Sequence, residues 1–214
     1  MKIFIDFDDV IFNTRRFKAD FEVIFSQFGI TANVFAENYF NYPPNKKGFP
    51  MRTYILEKHL AKINQVASFA RPILEKNIGI FLEDTRKYVF PDVENFLKNF
   101  SPPELFLISH GDKNFQGKKI KNTRLESYFS AISISSDQKS RTIYPWMKKG
   151  EEKKFFLDDR VHYLEEVKKS LPEITTILIQ RPEGRYHDRK NKYCDFKAKN
   201  FKEAWKIISK FRKE

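Results

Sequence analysis

Four short clusters hold the side chains of this sequence that are able to do chemistry. They are Asp6-Phe7-Asp8-Asp9, Ser109-His110-Gly111, Lys139, and the pair Asp158-Asp159. Three of them close an apolar run: KIFIDF at 2–7, ELFLIS at 104–109 and KFFLDD at 154–159; Lys139 comes just after AISISS at 131–136. Taken singly, an aspartate after such a run is commonly a turn or helix cap. Taken together, several carboxylates gathered in one place repel one another unless a cation joins them. Hard oxygen ligands with room for water suit Mg²⁺, which takes one or two carboxylates and completes its shell with substrate phosphate. An aspartate beside such a cation is able to attack phosphorus and form an aspartyl-phosphate. A carboxylate two residues further on lies on the same side of the backbone, where it protonates a leaving oxygen. Serine and lysine hold the equatorial phosphate oxygens.

For these clusters to meet, the elements before them must end at one edge. The run Ile3-Phe4-Ile5 is continuous and apolar, as a strand buried on both faces requires. Strands are expected at 2–7, 104–109, 131–136, 154–159 and 175–180. Helices are expected over PDVENFLKNF (91–100), 113–124, after Lys139, and over 160–170. At the end, NFKEAWKIISKF is amphipathic, with Asn200 as N-cap and Phe201, Trp205, Ile208 and Phe211 on one face. Strand–helix alternation predicts an α/β fold, a Rossmann-like parallel sheet with helices on both faces. Such sheets bind ligands outside the carboxyl ends of their strands, where all four clusters fall. Residues 15–89 read differently. Phe17, Phe21, Ile24, Phe25 and Phe28 recur at helical spacing, as do Tyr54, Ile55, Leu56, His59, Leu60 and Ile63. Between them NYPPNKKGFP (41–50) breaks the pattern with three prolines and a glycine.

Composition narrows the setting. The 214 residues carry a net charge of +12, which attracts anions: phosphorylated metabolites, nucleic acid or acidic membranes. Residues 181–214 contain 12 basic and 5 acidic side chains, so more than half the net charge lies in that tail. The tail reads as a solvated face, with nucleic acid kept as an alternative partner. The single cysteine, Cys194, excludes an intrachain disulfide. Three aspartates in MKIFIDFDDVIF are incompatible with a secretory signal, and no apolar run approaches a membrane span of about 20 residues. The expected location is the cytoplasm, with no membrane partner.

The motifs, in their order, resemble those of the haloacid dehalogenase (HAD) superfamily of hydrolases. DFDDVI (6–11) is similar to the family's first motif, a hydrophobic strand followed by Asp-x-Asp-x-(Thr/Val)-(Leu/Ile). LFLISHG matches its second, a strand ending in Ser or Thr, here Ser109. Lys139 fits its third, and FFLDD matches its fourth, a strand ending in paired acids, here Asp158 and Asp159. The resemblance covers 1–14 and 90–214, the α/β core. Residues 15–89 sit where the family inserts a helical cap.

This resemblance implies roles. Asp6 is expected to be the nucleophile, and Asp8 the general acid and then the base. Asp6, the backbone carbonyl of Asp8, and Asp158 or Asp159 are expected to hold Mg²⁺. Ser109 and Lys139 are expected to bind the phosphoryl group, with His110 and Gly111 beside them. An acid at Asp8, absent from the halide-removing members, implies a phosphatase acting on a small phosphate monoester. Alternatives are a phosphatase of nucleotides or nucleic-acid ends that uses the basic tail, a phosphomutase, and a catalytically silent binding domain. In the cap, Lys46, Lys47 and Arg52 are candidates for substrate selection. Asp9 is expected to be a turn residue, Asn13 and Thr14 helix caps, and Lys148, Lys149, Lys153 and Lys154 solvated.

Overall fold

The computed structural model describes residues 1–40, 53–147 and 152–212. Six parallel strands form one sheet: β1 Lys2–Ile5, β2 Leu105–His110, β3 Ala131–Ser135, β4 Lys154–Asp158, β5 Thr175–Ile179 and β6 Phe196–Ala198. Their order is β3-β2-β1-β4-β5-β6, so the first strand is central and the chain crosses over it between β3 and β4. Ile3 lies opposite Leu105 on one side and Phe155 on the other. Five of the strands follow the expected runs. The sixth, FKA, is too short to leave a periodic signal.

Alternation along the strands divides the apolar side chains between two layers. Ile3, Ile5, Leu105, Leu107, Phe155, Leu157, Ile177 and Ile179 face one layer. Phe4, Phe106, Ile108, Phe156 and Leu178 face the other. The second layer is closed by α7 (Lys139–Ile143) and α8 (Val161–Ser170) through Ile143, Tyr163, Leu164 and Val167. The first is closed by α5 (Val93–Leu97), α6 (Lys113–Lys121) and α9 (Phe201–Ile208). Asn200 caps α9 as expected, accepting from the Glu203 N–H at 2.9 Å.

Between β1 and β2 the chain builds α1 (Thr14–Ser26), α2 (Ala32–Asn38), α3 (Leu56–Ile63) and α4 (Arg71–Glu83). On α1, Phe17, Phe21 and Phe25 are buried at four-residue steps, the stripe that a helix must present to a core. The insert leaves and rejoins the core at one neck. There Asn13 N–H donates to Tyr88 O at 2.8 Å and Phe90 N–H to Ile11 O at 3.0 Å. Its apolar side chains run without interruption into the first layer of the sheet. Lys46, Lys47, Arg52, Lys148 and Lys149 lie outside the described residues. Lys154 departs from expectation: it is buried, because it is the first residue of a central strand, paired in register with Lys2. No helix among the described residues is long and apolar enough to cross a membrane.

Candidate active site

Because β1 and β4 are neighbours in register, Asp6 and the pair Asp158-Asp159 emerge side by side at the carboxyl edge. Each offers a carboxylate oxygen within 4.8 Å of the others, and all three residues are buried. Lys139, the first residue of α7, reaches between them. Its Nζ donates to Asp6 Oδ1 at 2.6 Å and Asp158 Oδ2 at 2.5 Å, and stands 4.3 Å from the centre of the Tyr163 ring. Four clusters spread over the 154 residues from Asp6 to Asp159 thus converge as the strand order requires.

The electrostatics follow from burial. Loss of water pushes the Asp6 carboxyl up to about 7; Lys139 opposes this, and Asp158 and Asp8 add to it. Asp159 is pushed well above the carboxylate range, first by burial and then by Asp158 and Asp6. Burial disfavours the Lys139 ammonium, but Asp158 and Asp6 outweigh it and hold the lysine charged. With all three carboxylates ionised, one ammonium would leave two negative charges unmatched, which is why burial raises the proton affinity of Asp6 and Asp159. Asp159 Oδ2 is moreover buried and meets no hydrogen-bond donor among the described residues. A hard divalent cation fits such a donor set: oxygen ligands, excess negative charge and an unsatisfied buried oxygen.

Asp8 sits apart from this trio in a cradle of its own. Thr14 Oγ1 and Lys119 Nζ donate to its Oδ1 at 2.6 and 2.7 Å, and Gln116 Nε2 to its Oδ2 at 2.7 Å. Burial would raise its proton affinity. Lys119, Arg185 and the donated hydrogen bonds overcome burial and hold it well below the usual carboxylate range. Gln116 also donates to Ser109 Oγ at 2.9 Å. Gly111 leaves room for this: a Cβ there would stand 3.0 Å from that of Gln116. Lys119 and Gln116 share the inner face of α6, three residues apart. In the sequence Lys119 stands beside Lys118 and near Lys121, and no local pattern distinguishes the lysine that turns inward.

Thr14 therefore does more than open α1; Asn13 supplies the cap, accepting from the Arg16 N–H at 2.9 Å. Asp9 is a turn residue with φ of +56°, a conformation Asp tolerates better than most, and its buried carboxylate accepts from Arg185 Nε at 2.6 Å. Arg185 belongs to the irregular segment between β5 and β6, where no periodicity points to it.

A cavity of about 320 Å³ opens over these groups. Asp6, Asp8, His110, Gly111, Lys139 and Asp159 line it. Ser109 and Asp158 lie beneath its wall, both buried. The insert contributes Tyr39, Phe40, Thr53 and Tyr54. Thr53 Oγ1 lies 3.2 Å from His110 Nε2, a direct contact between insert and core.

The sheet order and the inserted helices give the fold of the haloacid dehalogenase-like hydrolases. Solved structures bear this out along nearly the whole chain. A haloacid dehalogenase-like hydrolase of Burkholderia xenovorans LB400 superposes with a TM-score of 0.70 at 17% identity, covering 98% of this chain and 96% of its own. The HAD-hydrolase YfnB of Bacillus subtilis, determined with magnesium bound, gives 0.65 at 14% identity and 97% of both chains. An L-2-haloacid dehalogenase gives 0.67 at 13% identity and 98% of both. The likeness is one of fold. No family model matches the sequence, and a search of curated proteins found no relative.

Proposed function

We propose that the chain is a Mg²⁺-dependent phosphatase that hydrolyses a small phosphate monoester through a phosphorylated Asp6. The observation that carries this reading is the buried meeting of Asp6, Asp158 and Asp159 around Lys139, with Asp8 on the same cavity. Asp6, Asp158 or Asp159, and the backbone carbonyl of Asp8 would hold the cation, which when bound supplies charge neutralisation at the phosphoryl oxygens.

The residues divide the work. Lys139 keeps the Asp6 carboxylate oriented and adds a fixed positive charge next to the transferred group. An Asp6 oxygen attacks phosphorus as the bond to the leaving oxygen breaks, and that oxygen takes a proton from Asp8. Water then attacks the aspartyl-phosphate, Asp8 takes its proton, and Asp6 is released together with inorganic phosphate. The cradle of Thr14, Gln116 and Lys119 suits Asp8 to the second half, in which it must start ionised. In the first half the arriving dianion raises its proton affinity. His110 and Gly111 line the cavity, where they would flank the phosphoryl oxygens.

A small substrate is favoured by where the basic tail lies. Of residues 181–212, Arg185 and Tyr186 alone line the cavity. Similar structures include an L-2-haloacid dehalogenase, so halide release is the competing reaction. The test runs both. Purified protein with Mg²⁺ is given p-nitrophenyl phosphate and a panel of phosphate monoesters, and separately 2-chloropropionate. Phosphate release that stops with EDTA is the expected result. Halide release without phosphate release would replace this reading, and full activity after exhaustive chelation would remove the metal from it.

A further inference from the structure

On the core side of the cavity, Arg160, Tyr186 and Arg185 form a stack. The Arg160 guanidinium carbon lies 3.7 Å from the centre of the Tyr186 ring, and that of Arg185 lies 5.0 Å from it. All three line the same cavity as Asp6 and Lys139. Resting on the proposed phosphatase activity, we infer that this stack reads a second anionic group on the substrate, a carboxylate or a further phosphate, in addition to the group that is transferred.

Both arginines are held by Nε. Arg160 Nε donates to Asp188 Oδ2 at 3.2 Å, and Arg185 Nε to Asp9 Oδ2 at 2.6 Å. Neither guanidinium donates through its terminal nitrogens to another group among the described residues. A guanidinium fixed at Nε and along its face presents a planar pair of N–H donors, the geometry that matches carboxylate and phosphate oxygens.

The support is rigid. Asp188 Oδ2 also accepts from Val161 N–H at 3.0 Å, and Asp188 O from Gln180 Nε2 at 2.9 Å. Arg15 of α1 donates to Gly184 O at 2.6 Å, tying the segment to the helical insert. The segment is tightly packed at Gly184, where a Cβ would stand 3.1 Å from Arg181 O. Little order remains to be gained on binding, so donor geometry is preserved for a ligand. Neither guanidinium hydrogen-bonds to the acidic trio; Arg160 meets it only through its backbone N–H, which donates to Asp158 Oδ1 at 2.8 Å. Catalysis at Asp6 has Lys139 as its fixed cation, and the two arginines, each paired with a carboxylate through Nε, keep their terminal N–H donors for another group.

Matched esters test this. One pair is 3-phosphoglycerate and glycerol 3-phosphate, which differ by a carboxylate; the other is glucose 1,6-bisphosphate and glucose 6-phosphate, which differ by a phosphate. With the wild-type protein and Mg²⁺, kcat/KM is expected to be at least about tenfold higher for the doubly anionic member of one pair, mostly through KM. Whichever pair shows the preference identifies the second group as carboxylate or phosphate. In Arg160→Gln/Arg185→Gln the ratio is expected to fall to about one. Equal wild-type kcat/KM within both pairs overturns the inference and leaves the phosphatase standing. A ratio unchanged in the double variant, even with all rates lowered, also overturns it, since the arginines then serve the transferred group or the fold. No hydrolysis of any ester is instead a failure of the proposed activity. The wild-type comparison needs no substitution, so a variant that does not fold leaves the inference still decidable.

Discussion

Two walls meet over the cavity, and they are built on opposite principles. The sheet edge packs Asp6, Asp158, Asp159 and Lys139 out of water, together with Asp9, which pairs with Arg185 of the cavity wall. The helical insert packs rings. Phe17, Phe21, Phe25, Phe35, Tyr54 and Phe81 lie with centroids between 4.9 and 6.3 Å apart along a chain of contacts that reaches Phe115 of the core. Burying unmatched charge costs free energy, whereas burying aromatic rings releases it. The molecule thus keeps its reactive groups where folding disfavours them, and the aromatic wall helps to offset that cost. Substitutions in the two walls are expected to separate activity from stability.

The largest effect belongs to Asp6. Asp6→Asn removes the nucleophile and is expected to lower kcat by about 10⁴-fold or more, a barrier rise of at least ~5 kcal/mol. The same change replaces a desolvated carboxyl with a neutral amide. At pH 8 the thermal midpoint is therefore expected not to fall. Turnover within tenfold of wild type would deny Asp6 its role, and a midpoint several degrees lower would break the contrast between the walls.

Phe21→Ala tests the other wall. Phe21 is fully buried and touches rings on both sides of the insert–core boundary. The lost burial and the cavity left behind are expected to cost about 3–5 kcal/mol in urea denaturation. Asp6, Lys139 and Asp159 are untouched, so at a temperature where the variant remains folded kcat for p-nitrophenyl phosphate should stay within a few-fold. A loss below 1 kcal/mol would show that the aromatic wall does not carry stability.

The one histidine of this wall supplies a pH test. His59 is buried; its Nε2 lies 3.0 Å from Phe35 O and its Nδ1 3.0 Å from Tyr54 Oη. A carbonyl only accepts, so Nε2 carries the proton and Nδ1 accepts from the tyrosine: the ring is neutral. Burial lowers its pKa from 6.5 to about 4, against the support of the Phe35 carbonyl. The folded state thus binds its proton less tightly than the unfolded state. The stability from neutral His59 is complete above about 6.5 and is lost as pH falls from there through 4. Its size is about 3 kcal/mol. Urea midpoints at pH 7.5 and 4.5 should converge in His59→Gln relative to wild type; parallel curves would remove His59 as the source.

Much of this arrangement was legible in the sequence, for identifiable reasons. Asp6, Lys139, Asp158 and Asp159 follow predicted strands, and parallel strands have their carboxyl ends on one side, so convergence followed from the fold class. The buried stripe of α1 was legible from four-residue spacing. Lys119 and Gln116 were not, because what buries them is the approach of α6 to Asp8, a long-range contact without local pattern. Arg160, Arg185 and Tyr186 were missed for a like reason: they lie in irregular segments, where Asp188 and Asp9 fix the two arginines and Tyr186 stacks with them. β6 has three residues, fewer than periodicity needs to register.

The smallest predicted effect is also the most specific to the sheet edge. Asp6 is pushed up to about 7 because its burial, with Asp158 and Asp8 adding to it, outweighs the opposing influence of Lys139. A divalent cation bound by its carboxylate must displace the proton. With a pKa near 7, roughly a tenth of the protein has Asp6 ionised at pH 6, and nearly all of it at pH 8. Mg²⁺ affinity is therefore expected to rise about tenfold between these values, ~1.4 kcal/mol, with about one proton released per ion at pH 6. Asp159 is shifted in the same direction and can only steepen the dependence. Isothermal titration in two buffers of different ionisation enthalpy measures both quantities, the affinity and the proton count. His59→Gln should leave them unchanged, since that ring belongs to the aromatic wall. An affinity independent of pH would mean that the cation does not compete for the Asp6 proton. A pH dependence that vanished in His59→Gln would mean that the two walls are coupled, and that the division between reactive edge and stabilising insert is not the one drawn from their burial.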